Sequence, residues 1–188
     1  MRSAPIGLAA PSREDAFQLA RDAGALTHGH PSGFLSAAYF AALIWDVARG
    51  TALPQAMSHA DALLSTEPGN AELVTLLART RQLATSGAPA PETIESLGGG
   101  WTGEEALAIA LLCALTFDPS APDGFQQALW RAALHSGDSD STGSLVGNLI
   151  GAMNGAAGLP AAWLHTLELR DVIERVAEDL HAVIQRQS

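Results

Sequence analysis

Gly143, Gly147, Gly151 and Gly155 recur at every fourth position of a stretch, 141–164, that contains no Asp, Glu, Lys or Arg. A four-residue repeat puts side chains on one face of an α-helix, whereas a strand would need a repeat of two. Each glycine in a helix interior costs about 1 kcal/mol relative to alanine, so something must offset the loss. Close backbone contact with a neighbouring helix is the expected compensation, which would make this helix central to the fold. The uncharged length raises the question of a membrane span. Repeated Gly, together with Asn148, Asn154 and Pro160, points instead to a buried helix in a soluble protein, and no membrane partner is expected.

Helical punctuation runs through the rest of the chain. Ser12 followed by Glu14 and Asp15 marks a helix start, with an end near Gly24. Pro31 opens a second helix to about Gly50, its apolar residues Phe34, Leu35, Ala38, Ala41, Ala42 and Trp45 falling at helical spacing. Pro54 opens a third, ending near Ser65. Asn70 is expected to cap a fourth, which stops before a Gly87-Pro89-Pro91 linker. Thr102 is expected to cap a helix with Glu104 and Glu105 in its first turn, and another helix should run from about Pro122 to Leu134. After a turn at Gly158-Leu159-Pro160, a helix from about Glu168 carries Leu169, Val172, Ile173, Val176, Leu180, Val183 and Ile184 as one apolar stripe. Alternating apolar and polar runs are lacking, so the expected fold class is all-α. No internal repeat is evident. A length of 188 residues with 47% hydrophobic content supports one compact domain, 1–188, or part of a larger one.

At the mouth of the Gly-spaced helix stands Asp138-Ser139-Asp140-Ser141-Thr142-Gly143, preceded by His135-Ser136-Gly137. Carboxylates and hydroxyls in one tight turn are the oxygen donors that Mg²⁺, Mn²⁺ and Ca²⁺ prefer. A cation would also relieve repulsion between the two acids, and the positive end of the helix dipole favours their ionised forms. An EF-hand loop is excluded. Asp138, Asp140 and Gly143 fit positions 1, 3 and 6, but position 12 is Leu149 where a bidentate Glu is required. A helix N-cap accounts for one of these side chains and leaves the others unexplained. His135 suits either a supporting role beside the turn or a plain surface position.

The net charge of −10 argues against nonspecific nucleic-acid binding, without excluding an anionic small ligand held through a cation. The single cysteine, Cys113, lies in the apolar run Ala110-Leu111-Leu112-Cys113-Ala114-Leu115 and reads as a buried small hydrophobe; one cysteine makes no internal disulfide and no cysteine zinc cluster. Met1-Arg2-Ser3-Ala4-Pro5 leads into no long apolar segment, so no secretory leader and a cytoplasmic location are expected.

Two other segments carry chemistry. Thr27-His28-Gly29-His30-Pro31 places two histidines two residues apart, too few ligands for zinc and better suited to capping or polar lining before Pro31. Gly98-Gly99-Gly100-Trp101-Thr102-Gly103 lacks the spacing of a dinucleotide fingerprint and the Lys of a P-loop. Its amides could hold a phosphate and Trp101 could stack on a ring. The same residues suit an ordinary interhelical loop, and composition does not separate the two.

Taken together, these segments resemble the ADP-ribosylglycohydrolase family. The resemblance runs nearly end to end, through 1–8, Thr27–Pro31, Gly98–Trp101, Glu104–Ala110, His135–Gly143 and 167–171. It implies a compact orthogonal all-α domain with a binuclear magnesium or manganese site, hydrolysing the bond between ADP-ribose and a protein side chain or small acceptor. By resemblance, Asp138, Asp140 and Ser141 are metal ligands, and Thr27, His28, Gly29, Gly99, Gly100 and Trp101 line the ADP-ribose pocket. The implied partner is an ADP-ribosylated protein or an ADP-ribose-containing small molecule.

The resemblance also implies sequence upstream of the segment matching Met1-Arg2. There the family carries a Thr-Asp-Asp-type turn with the remaining metal ligands, a carboxylate important for catalysis and a phosphate-holding Gly-rich loop. The expectation is a C-terminal portion whose catalytic residue lies outside it, with an exposed apolar patch that invites self-association or a complementing N-terminal polypeptide. The alternative is a non-catalytic ADP-ribose- or metal-binding module, or an inactive fragment.

Overall fold

A computed structural model describes residues 1–187, and among them every regular element is helical. The helices are α1 (Ala4–Ala9), α2 (Arg13–Ala25), α3 (Pro31–Val47), α4 (Leu53–Leu64), α5 (Ala71–Ala84), α6 (Pro91–Glu95), α7 (Gly103–Leu115), α8 (Gly124–Ala133), α9 (Ser139–Asn154), α10 (Ala161–Thr166) and α11 (Arg170–Gln187), with a single 3-10 turn at Ala156–Gly158. The all-α expectation holds. None of the described helices is long and apolar enough to cross a membrane.

Two helices lie at the centre because they are apolar nearly all round. In α3, residues from Leu35 to Val47 are buried apart from Ala37 and Trp45, and in α7 every residue from Ala106 to Ala114 is buried. α2 and α1 pack on α3 from one side with α4 beside them, while α5, α8 and α9 surround α7. Gly7 lets α1 press onto α3: a Cβ there would lie 2.4 Å from the Ala41 carbonyl oxygen. Gly103 does the same where α7 starts, since its Cβ would meet Ser36 Oγ and, at 3.3 Å, the Gly33 carbonyl oxygen.

Polar clasps tie this frame together. Arg13 holds Asp46 through two hydrogen bonds, 2.6 and 2.8 Å, and His59 Nδ1 stands 3.1 Å from the same carboxylate, joining α2, α3 and α4. Burial pushes the Asp46 carboxyl up, but bonds and charge from Arg13 and His59 outweigh this and hold it below its ordinary value. Trp45 Nε1 donates to the Ala10 carbonyl, and Arg49 stacks over the indole at 4.2 Å. Tyr39 donates to Asp61, which Arg81 of α5 also grips at 2.6 Å.

Several local expectations are corrected. Ser12 caps α2 as read, accepting from the Asp15 N–H at 3.0 Å. Asn70 does not cap α5 with its side chain; its amide donates backwards to the Leu64 carbonyl at the end of α4. Thr102 precedes α7 with no side-chain cap bond. The Gly87–Pro91 linker gives way to the short α6. The largest correction concerns α9. Its glycines do not mediate close packing among the described residues: a Cβ on Gly143, Gly151 or Gly155 would meet nothing within 4 Å, and on Gly147 only Leu129 Cδ2 at 3.8 Å. α9 is held by the other face, where Leu145, Val146, Leu149 and Ile150 are buried against α7 and α8. The α11 stripe is likewise largely uncovered, with Ile173, Val176 and Val183 exposed.

Candidate functional site

Three of the segments singled out in the sequence converge. The loop before α7 and the turn before α9 are tied directly, because the Asp138 N–H donates to the Gly99 carbonyl at 2.8 Å. Gly99, Gly100 and Gly137 are small for a reason visible at this contact. A Cβ on Gly137 would lie 1.8 Å from the Gly99 carbonyl oxygen, and one on Gly100 would lie 2.8 Å from Thr142 Cγ2, with φ of +72° besides. Glu105 of α7 fixes the loop from behind by accepting the Trp101 N–H at 3.2 Å. The Trp101 indole folds over Gly99 and remains 73% exposed.

In the acidic turn, Asp138 occupies the N-cap of α9 and faces the Ser141 N–H at 3.5 Å. Its carboxyl is held below the ordinary value, first by a side-chain hydrogen bond with Asp140 and next by one with Ser141. Asp140 is exposed, and Ser139 Oγ donates to the Ala133 carbonyl at 2.8 Å. The turn therefore does act as a cap, and it also gathers two carboxylates and the Ser141 hydroxyl within one helical turn.

A cleft of about 400 Å³ opens beside this junction. Asp138 and Ser141 of the acidic turn line it together with Gly100, Trp101 and Thr102 of the glycine loop, with Arg2, His28 and Gly33, and with the apolar side chains Phe40, Leu107 and Leu145. Thr27 stands behind the wall, accepting from Arg2 at 2.9 Å and lying 2.9 Å from His28 Nδ1. Gly29 is exposed in the turn between α2 and α3, and Gly99 backs the Trp101 ring. His30 caps α3, its ring accepting from the Ser32 N–H at 3.4 Å, so the two histidines divide between lining and capping. Arg2, Ser36 and Phe40 are cleft residues that no local pattern announced, since they come from α3 and the segment before α1.

A comparison of the whole chain with known families gives a match over its full length: residues 1–188 fit the family described as ADP-ribosylglycohydrolase. The chain belongs to the ADP-ribosylglycohydrolase family. It is 26% identical to the human protein named ADP-ribosylhydrolase ARH3 over 209 aligned residues, covering 99% of this chain and 57% of that protein, and 26% identical to the bovine protein of the same name with the same coverage. It is 30% identical to ADP-ribosylhydrolase ARH1 of Dictyostelium discoideum over 82 residues, 44% of this chain and 20% of that one. The chain thus spans little more than half the length of the mammalian relatives.

The donor set can be weighed against a divalent ion on its own chemistry. Asp138, Asp140 and Ser141 offer three oxygens, the ligand type that hard cations take. Mg²⁺ requires about six ligands, and among the described residues no group of three or more His, Cys, Asp or Glu is placed to hold an ion. By donor type the three residues suit a hard cation, and by number they fall short of a full shell.

Proposed function

We propose that this ADP-ribosylglycohydrolase-family chain binds ADP-ribose in the cleft and contributes one side of a Mg²⁺ or Mn²⁺ site, part of the binuclear site that the family resemblance implies, for hydrolysis of the glycosidic bond between ADP-ribose and an acceptor. The observation that carries the reading is the placement of Asp138 and Ser141 on the wall of the same cleft that Gly100 and Trp101 enclose. Asp138, Asp140 and Ser141 hold the cation. When bound, it supplies Lewis-acid polarisation of water and ribose oxygens. Trp101 offers an exposed aromatic face to a ring, the apolar lining excludes water, and Arg2 and His28 take the anionic groups of the ligand. No residue of this chain is assigned as the base that activates water.

The test is release of ADP-ribose from ADP-ribosylated arginine and serine peptides in the presence of Mg²⁺ or Mn²⁺. Turnover by the chain that is lost in Asp138→Asn supports the enzymatic reading. Binding of ADP-ribose without turnover supports a binding module. Absence of both contradicts the proposal.

A second reading is favoured by one pair of observations: among the described residues no group of three or more His, Cys, Asp or Glu is placed to hold an ion, and Ile173, Val176 and Val183 of α11 lie exposed. On this reading a second polypeptide supplies further carboxylates and covers that apolar surface. Light scattering of the purified chain distinguishes self-association from a monomer awaiting a complement.

A further inference from the structure

His135 is 7% exposed and sits between α8 and α9, directly behind the acidic turn. Both ring nitrogens are engaged. Nε2 lies 2.9 Å from Thr142 Oγ1, and Nδ1 accepts the Gly137 N–H at 3.0 Å. The partners leave one proton arrangement. Thr142 has a single hydroxyl proton, and its three other neighbours, the carbonyls of Ala132 at 2.5 Å, Asp138 at 3.1 Å and Ser139 at 3.3 Å, can only accept. The hydroxyl donates to Ala132, so its oxygen accepts from His135 and Nε2 must carry hydrogen. Nδ1 faces an N–H and must be bare.

We infer that His135, as the neutral Nε2–H tautomer, is a positioning residue that presets the Asp138–Ser141 turn. The ring bridges Gly137, just before the turn, to Thr142, just after it, and through Thr142 to the last part of α8. The two consecutive amides that lead into the turn are both committed: Gly137 N–H to His135, Asp138 N–H to Gly99. The two successive peptide planes ahead of the Asp138 carboxylate are thereby held, the first by a buried ring and the second by the Gly98–Trp101 loop. Fixing the orientation of metal-binding side chains through groups that do not themselves touch the ion is a general requirement of metal sites. None of the three relevant substitutions removes an oxygen ligand of the turn. His135→Asn keeps an acceptor near the Nδ1 position, His135→Gln keeps a donor near the Nε2 position, and His135→Ala keeps neither.

The inference rests on the metal reading above only for its consequence, not for its geometry, and the experiment separates the two. Long-range proton–nitrogen NMR of the full chain at neutral pH should show a single His135 tautomer protonated at Nε2, and the Gly137 amide should exchange slowly. In His135→Ala the Gly137 and Asp138 amides should exchange about tenfold faster or more, with helicity retained, and His135→Asn should restore protection at Gly137. Mn²⁺ titration should show affinity reduced about tenfold in His135→Ala and less in His135→Asn. If the alanine variant loses its helical signal, the Asn and Gln variants carry the comparison. An Nδ1–H tautomer, or unchanged exchange at Gly137 in every variant, overturns the inference. So does Mn²⁺ affinity in His135→Ala equal to that of the wild type. Should the wild type take up no Mn²⁺, the metal reading fails while the tautomer and exchange rates still decide the role of the ring.

Discussion

The Asp138 N–H donates to the Gly99 carbonyl at 2.8 Å, joining the glycine loop ahead of α7 to the acidic turn ahead of α9. Two segments 39 residues apart in number become one structural unit at this bond. The contact needs a glycine at 137, where a Cβ would fall on the Gly99 carbonyl. The glycine loop and the acidic turn that line the cleft are thus joined by a direct backbone bond.

Gly137→Ala should therefore break the junction. Its Cβ would fall 1.8 Å from the Gly99 carbonyl oxygen, a backbone atom that cannot rotate away. We expect a loss of about 2 kcal/mol or more, read by denaturant melts, with faster amide exchange at Asp138. A variant as stable as the wild type would show that the two segments do not need this contact.

Glycines on the open face of α9 behave oppositely. A Cβ at Gly143 or Gly151 meets nothing within 4 Å among the described residues. Replacing either by alanine should raise stability by about 0.5–1 kcal/mol through helix propensity alone. Destabilisation of the same variants, measured on the isolated chain, would mean that another surface occupies that face.

Asp46 sets an acid limit on stability. Its carboxyl lies below the ordinary value because bonds from Arg13 and His59 outweigh burial. A depressed carboxyl stabilises the fold fully above the unfolded-state value, about 3.9, and loses that contribution as pH falls through the lower folded value. Asp46→Asn should cost about 2–4 kcal/mol at neutral pH, since it leaves Arg13 without its buried partner. The difference from wild type should shrink toward pH 3. A gap that is constant with pH would place the effect elsewhere.

Cys113 should be silent in the native state. Burial pushes its thiol up to about 12, and it lies within the apolar core of α7. Thiol reagents should label it only at the rate of global unfolding, with reactivity tracking denaturant melts. Rapid labelling under native conditions would show that α7 opens locally.

Much of this was legible in the sequence, for identifiable reasons. Long apolar helices with proline starts, such as Pro31–Val47, announce themselves by periodicity, and Ser12 announces its cap by the acids that follow. α1 and α10, six residues each, are too short to show a period. Asn70 carries both a donor and an acceptor, and its type does not say which one the fold will use. Glycine spacing in α9 says which residues share a face, not which face a neighbour takes; Leu145, Val146, Leu149 and Ile150 decide that. The acidic turn and glycine loop were visible one at a time, but their junction is a long-range contact. The approach of Arg2 and Phe40 to the same cleft is set by helix packing, which no local pattern encodes.

The most direct test is calorimetric titration of ADP-ribose into the chain with Mg²⁺, after chelation, and in the Asp138→Asn and Asp140→Asn variants. The account predicts binding with Mg²⁺ that weakens about tenfold or more on chelation and in each variant. Binding of equal strength in all four cases, or no binding in any, would contradict it.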